Sequence, residues 1–136
     1  MPSFLTPLLC GEPETCSLIN ERSGAVVASH LLTAFDSRSR RTGLLRHSSL
    51  PEGTALIIAP SNAIHTFFMR FAIDVAFVAK DGRVRKICRA LPPWRMAAAL
   101  RAYAVVELAA DALAQSGTSP GDVLAVVQGE TRTRTT

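Results

Sequence analysis

The sequence predicts a mainly β fold: a compact antiparallel β-sandwich or partly open barrel with two or three short helices. Three observations carry this. First, about eight short runs rich in Val, Ile, Thr and aromatic residues follow one another closely, without the strand–helix alternation of a parallel sheet. Second, Gly, Pro, Asn and Asp clusters punctuate those runs as turns. Third, 48% of the residues are hydrophobic and only 19% charged, which supplies a core and argues against disorder. A length of 136 residues fits one domain.

Residues 1–14 contain Pro2, Pro7 and Pro13 and read as an irregular arm. Thr15 to Ile19 predicts a first strand, Asn20 to Gly24 a turn, and Ala25 to Ala28 the returning strand of a hairpin. From Thr33 to Leu45 the pattern changes. Thr33 can cap, Ser37 to Arg41 give a polar face, and Gly43 gives a stop, so a short surface helix is expected. After the turn at Pro51-Glu52-Gly53, Ala55 to Ala59 is a continuous apolar run of strand length, expected to be buried on both faces. Pro60-Ser61-Asn62 ends it.

Ile64 to Met69 and Ile73 to Ala79 read as two further strands. Lys80-Asp81-Gly82-Arg83 predicts a type I′ hairpin, because Gly tolerates positive φ. Val84 to Arg89 returns, and the cations Arg83, Arg85 and Lys86 mark it as a sheet edge. Pro92-Pro93-Trp94 interrupts regular structure. Met96 to Ala102 is Ala-rich and reads as helix or loop. Tyr103 to Leu108 predicts a strand, Ala109 to Ser116 a short helix stopped by Gly117, and Val123 to Val127 a closing strand after the turn at Pro120-Gly121-Asp122. The domain is expected over residues 15–129, with a fraying Thr/Arg tail at 130–136.

Charge and cysteine content restrict the function classes. The net charge of +4 is modest, and all but two of the 15 basic residues are Arg. Cys10, Cys16 and Cys88 form no CxxC pair, so neither a disulfide framework nor a zinc knuckle is expected. His30, His47 and His65 share no metal-ligand spacing, and no metal or cofactor is expected. No basic region precedes the first apolar residues, and Leu9 before Cys10 does not suit a lipoprotein cleavage site. No apolar run approaches the roughly 20 residues of a membrane-crossing helix, so membrane insertion is not expected and the cytoplasm is the default compartment. The oligomeric state is not legible.

Ile73, Val75, Phe77 and Ala79 share one face of their strand, and Asp74, Ala76 and Val78 the other. Both faces are apolar apart from Asp74. A buried carboxylate needs a partner, and Arg70 is the nearest cation in sequence, with His65 and Thr66 as alternatives. The stretch from His65 to Val84, HTFFMRFAIDVAFVAKDGRV, resembles the central motif of the uncharacterised DUF192 family. Outer pieces match in order: Thr42-Gly43-Leu44-Leu45, Gly53 to Ala59, Val105-Val106-Glu107-Leu108 and Gly121-Asp122. The resemblance spans about residues 24–127. The chain departs from the family pattern at Leu45, where Met is usual. It departs again at Phe68-Met69-Arg70-Phe71 for Trp-Met-Lys-Asn, at Ala72 for Pro, and near Ala110 for Gly. The resemblance implies a β-rich fold and brings no assigned activity, cofactor or substrate.

Three functions compete. A non-enzymatic binding or accessory domain would use Thr66, Phe68, Arg70 and Trp94, with Phe67 and Phe71, to line a groove for an anionic small molecule or a protein segment; the plain alternative is that the rings are core. An enzyme would need His65, Asp74 and Glu107 to converge as an acid–base cluster; otherwise they are structural polar groups. A nucleic-acid binder would use the basic cluster Arg38, Arg40, Arg41 and Arg46 together with the segment from Arg83 to Arg89. No aromatic residue interleaves the first cluster, which speaks against nucleic acid.

Overall fold

A computed structural model describes residues 3–36, 40 and 49–128. Among the described residues ten strands form three sheets. β1 (Cys16–Asn20) lies between β10 (Leu124–Gln128) and β2 (Val26–Ala28). A five-stranded sheet has the order β3 (His30–Ala34), β4 (Thr54–Ile58), β9 (Ala104–Ala109), β6 (Ile73–Val78) and β7 (Val84–Leu91). A small ribbon pairs β5 (Ala63–His65) with β8 (Met96–Ala98). Helical pieces among the described residues include α1 (Thr6–Cys10), a 3-10 turn at Pro13–Thr15 and α2 (Ala112–Gln115).

The five-stranded sheet is covered on both faces. On one face Ala55, Ile57, Ala76, Val78, Val106 and Leu108 meet Leu18, Val27 and Leu124 of the three-stranded sheet, joined by Leu5, Leu8 and Leu113. On the other, Leu56, Ile58, Ile73, Val75, Phe77 and Val105 pack beneath Met69 and the ribbon residues Ile64 and Ala97. This double burial is why β4, β6 and β9 read as largely apolar runs, broken in β6 only by Asp74 and in β9 only by Glu107. The mainly β fold predicted from sequence is thus observed, and of the sandwich and the partly open barrel it is the sandwich; among the described residues its strand pairs are antiparallel except β3 with β4, which is parallel. The two sheets are joined at a corner: β2 passes into β3 through Ser29, and the Gly53 carbonyl accepts from both the Ser29 N–H (2.8 Å) and the His30 N–H (2.9 Å).

Several expectations change. Thr33 and Ala34 belong to β3, which pairs in parallel with β4, so they do not start a helix. Of the rest of that region Phe35, Asp36 and Arg40 are described: Arg40 is helical, its N–H donating to the Asp36 carbonyl (3.0 Å) and its guanidinium to the Phe35 carbonyl (2.8 Å). Residues 37–39 and 41–48, with Arg38, Arg41 and Arg46, lie outside the described residues, and so does the tail. Residues 6–10 form a helical turn rather than an irregular arm, because Leu5 and Leu8 bury themselves in the core. The strand expected from Ile64 to Met69 ends at His65, and Met96–Ala98 is a strand rather than helix or loop. The β6–β7 hairpin is present and β7 lies at the sheet edge. Its turn is not type I′: Gly82 has φ +95° but Asp81 has no positive φ, and the Gly82 N–H donates to the Ala79 carbonyl (2.9 Å). That is a type I turn closed by a left-handed Gly. A Cβ at Gly82 would collide with the Leu124 carbonyl, where β10 crosses.

Candidate functional site

The segment from His65 to Arg70 and the segment from Pro92 to Met96 are bound together by Thr66, which is fully buried. Its Oγ1 donates to the Pro92 carbonyl (2.7 Å) and accepts from the Arg95 N–H (2.9 Å). Its N–H donates to the Arg95 carbonyl (2.8 Å), and its carbonyl accepts from the N–H groups of Trp94 (2.9 Å) and Met69 (3.2 Å). The last of these bonds closes a turn, which is why the strand stops. One small hydroxylic residue therefore fixes both segments. We expect Thr66→Val, which keeps the shape and removes both side-chain bonds, to destabilise the protein by about 1–3 kcal/mol. Urea unfolding followed through Trp94, the only tryptophan, measures this.

The geometry around this pin is strained. Phe68 (φ 70°) and Trp94 (φ 65°) both occupy the left-handed region, where bulky residues are outliers. Both side chains are nevertheless outside, Phe68 at 69% exposure and Trp94 at 56%. They pack together with ring centroids 4.7 Å apart; Phe67 stacks on Trp94 at 5.7 Å and His65 on Phe67 at 4.8 Å. The result is a row of four rings on the solvent side of the ribbon. Arg70 and Arg95 flank it, both exposed. Arg70 makes no hydrogen bond or ion pair among the described residues. The Arg95 guanidinium reaches the Trp94 carbonyl at 3.5 Å. Lys86 donates to the Ala98 carbonyl (3.0 Å), which ties β7 to the ribbon.

Asp74 is fully buried, but Arg70 is not its partner. Its Oδ1 accepts from the Ala90 N–H (2.8 Å) and its Oδ2 from the Leu113 N–H (2.9 Å). Ala90 belongs to a bulge, since Ile73 pairs with Leu91 and Val75 with Cys88. Leu113 lies in the first turn of α2, where the N-cap residue Asp111 makes no side-chain hydrogen bond to the helix. Asp74 thus holds a bulge and caps a helix across the fold.

Glu107 lies on the opposite face of the sheet, between Leu56 and Val75. It is 4% exposed, no described group donates to it, and burial pushes its carboxyl up to about 7. His65 is on the outer side of the ribbon, while its neighbour Ile64 points inward to the core. The three candidate acid–base residues therefore face three different directions: Asp74 toward α2, Glu107 toward the ribbon core, and His65 toward solvent.

The DUF192 family model, described as Uncharacterized ACR, matches residues 18–126. The chain belongs to the DUF192 family. No curated protein matches it. Among solved structures it is similar to a protein from Sinorhizobium meliloti 1021 titled "a putative transcription regulator". The two share 23% identity and a TM-score of 0.70, over 82% of this chain and 91% of that one. It is also similar to a protein of unknown function from Novosphingobium aromaticivorans, with 24% identity and a TM-score of 0.67, over 80% of this chain and 81% of that one. Both are likenesses of fold.

In this DUF192 chain the four candidate binding residues separate by role. Thr66 is the buried pin; Phe68, Trp94 and Arg70 are on the surface. Sequence reading missed a second polar lock. Asp122 accepts from the guanidinium of Arg22 (2.7 and 3.0 Å), from Asn20 Nδ2 (2.9 Å) and from the Ser119 N–H (2.9 Å). The Arg22 bond first, then Asn20 and Ser119, hold its carboxyl well below the usual carboxylate range. The Gly121-Asp122 turn of the DUF192 pattern was the available signal, since Asp beside Gly marks a side chain able to bond nearby backbone. A groove of about 380 Å³ lies between Val26, Gly53, Ala110 and Gln115, on the far side of the sheet from the rings, with Glu52 its one charged lining group.

Proposed function

We propose that this protein is a small non-enzymatic binding domain whose ligand surface is the row of rings at His65, Phe67, Phe68 and Trp94 with its flanking cations Arg70 and Arg95. The single observation that carries this is the strained display of two large aromatics. Holding Phe68 and Trp94 at positive φ costs about 1–3 kcal/mol each, and such strain clusters at ligand clamps. The fold would be more stable with small residues or Gly there. The hydrogen bonds on Thr66 and the ring contacts hold this display in place, and the exposed ring surface is left for a bound ligand to cover.

The chemistry of the surface favours an anion. Arg70 offers an unpaired fork of donors, and no exposed carboxylate lies in the two segments. A reducing, cytoplasmic setting fits the free thiols Cys16 and Cys88. No described helix is long and apolar enough to cross a membrane.

A labelled heparin fragment at low salt tests the surface by fluorescence anisotropy. The wild-type chain should bind it, and Arg70→Ala should weaken binding about fivefold, the worth of roughly 1 kcal/mol for one contact. Undiminished binding by a folded Arg70→Ala, Arg95→Ala double variant would remove the assignment, and so would no binding by the wild type.

A further inference from the structure

We propose that the anion taken by this surface is single-stranded nucleic acid, its bases stacking on Phe68 and Trp94 and its phosphates meeting Arg70 and Arg95. This rests on the binding surface argued above and names its ligand class. Three observations converge on it.

The first is the rings themselves. Phe68 and Trp94 are more than half exposed; Phe68 closes the row of four, tilted 58° against Trp94, on which Phe67 is stacked. Every base has a π-face, so such a row accepts successive unpaired bases without regard to sequence. A duplex keeps its bases stacked on one another and would not offer them.

The second is charge segregation. Between residues 54 and 106 there are eight Lys and Arg, and every one is exposed. The same stretch holds two carboxylates, Asp74, which is fully buried, and Asp81, in the β6–β7 hairpin turn. The chain is +4 overall, so the stretch that carries the rings is more basic than the whole.

The third is the identity and state of the cations. Arg70 and Arg95 carry planar forks suited to phosphate oxygens. Neither is engaged by a carboxylate among the described residues. The Arg95 backbone is itself bonded to Thr66, and Arg70 follows Met69, whose N–H donates to the Thr66 carbonyl, so both backbones are placed relative to the rings. The 38–46 cluster has no aromatics of its own to stack bases; here the fold supplies them from two other segments.

The test compares three labelled probes of equal length at about 50 mM salt, where phosphate contacts are strong. They are an oligothymidylate, the same backbone without bases, and a polyglutamate peptide. The oligothymidylate should bind about tenfold tighter than the abasic strand, the scale of one base stacked on a ring, and should quench Trp94 fluorescence. Phe68→Ala should bring that preference toward unity, while Phe68→Tyr keeps it; unchanged circular dichroism shows that both fold. Equal binding of the abasic strand and the oligothymidylate would overturn base stacking and leave the anionic surface standing. Polyglutamate binding as tightly as the oligothymidylate would overturn the nucleic-acid assignment. Binding of none of the three would overturn both readings.

Discussion

Asp74→Ala is expected to lower the unfolding free energy by about 3–5 kcal/mol, a larger loss than that expected for Thr66→Val. The carboxylate is fully buried and satisfies two backbone donors that belong to different elements, Ala90 in the β7 bulge and Leu113 in α2. Removing it strands both donors. A charge-assisted hydrogen bond contributes about 1.5–3 kcal/mol, and a buried donor left without a partner costs a similar amount. Asp74→Asn should be intermediate, since its amide oxygen can serve one donor while its NH₂ faces the other. Arg70→Ala should change stability by less than about 0.5 kcal/mol, as an exposed residue with no partner does. Chemical denaturation of the three variants decides between this account and a lock built on Arg70. Equal losses for Asp74→Ala and Arg70→Ala would refute the backbone-donor account.

Glu107 should make the protein less stable as pH rises through neutrality. Its carboxyl is raised from 4.5 to about 7 by burial, so between those values the unfolded chain has released its proton and the folded protein still holds it. Where the folded state binds more protons, stability falls with pH. The stability is therefore fully present below about pH 4.5 and is lost as pH rises through 7. The loss is about 3 kcal/mol, because each tenfold difference in proton affinity between the folded and unfolded states is worth about 1.36 kcal/mol. Glu107→Met matches the apolar surroundings of Leu56 and Val75 and should flatten this limb and raise stability at pH 8. Asp122 acts in the other direction and in another window. Its carboxyl is lowered from 3.8, so its contribution is present above that pH and is lost only on further acidification. Urea midpoints at pH 4.5, 6, 7 and 8 measure the Glu107 limb, and an identical slope in Glu107→Met would show that another group causes it.

The binding surface and these stability effects fall on different parts of the molecule. Asp74 and Glu107 hold or strain the sheet, one on each face. The rings stand outside the ribbon, pinned by Thr66. The acid–base alternative needed the first two groups in one cleft, and the pairing of Asp74 with Leu108 and of Val75 with Glu107 points them to opposite sides of the sheet.

What the sequence determined by itself was local. The apolar run at 55–59 specifies a doubly buried strand, because a strand covered on both faces accepts such a run at that length, and the largely apolar runs at 73–79 and 103–108 specify two further strands. Asp81-Gly82 specifies a hairpin, because a tight reversal needs a residue tolerant of positive φ. The polar–apolar contrast around Asp74 specifies a buried carboxylate in need of partners. Tertiary structure decided the rest. β3 is a strand because β4 gives it a parallel partner, against the capping signal at Thr33. Met96–Ala98 is extended because β5 pairs with it, against the helix propensity of its alanines. The partners of Asp74 are backbone N–H groups at Ala90 and Leu113, and backbone donors carry no residue-type signal in the sequence. The outward display of Phe68 and Trp94 was hidden for the same reason. Aromatic residues default to the core, and only the hydrogen bonds converging on Thr66 turn these two toward solvent.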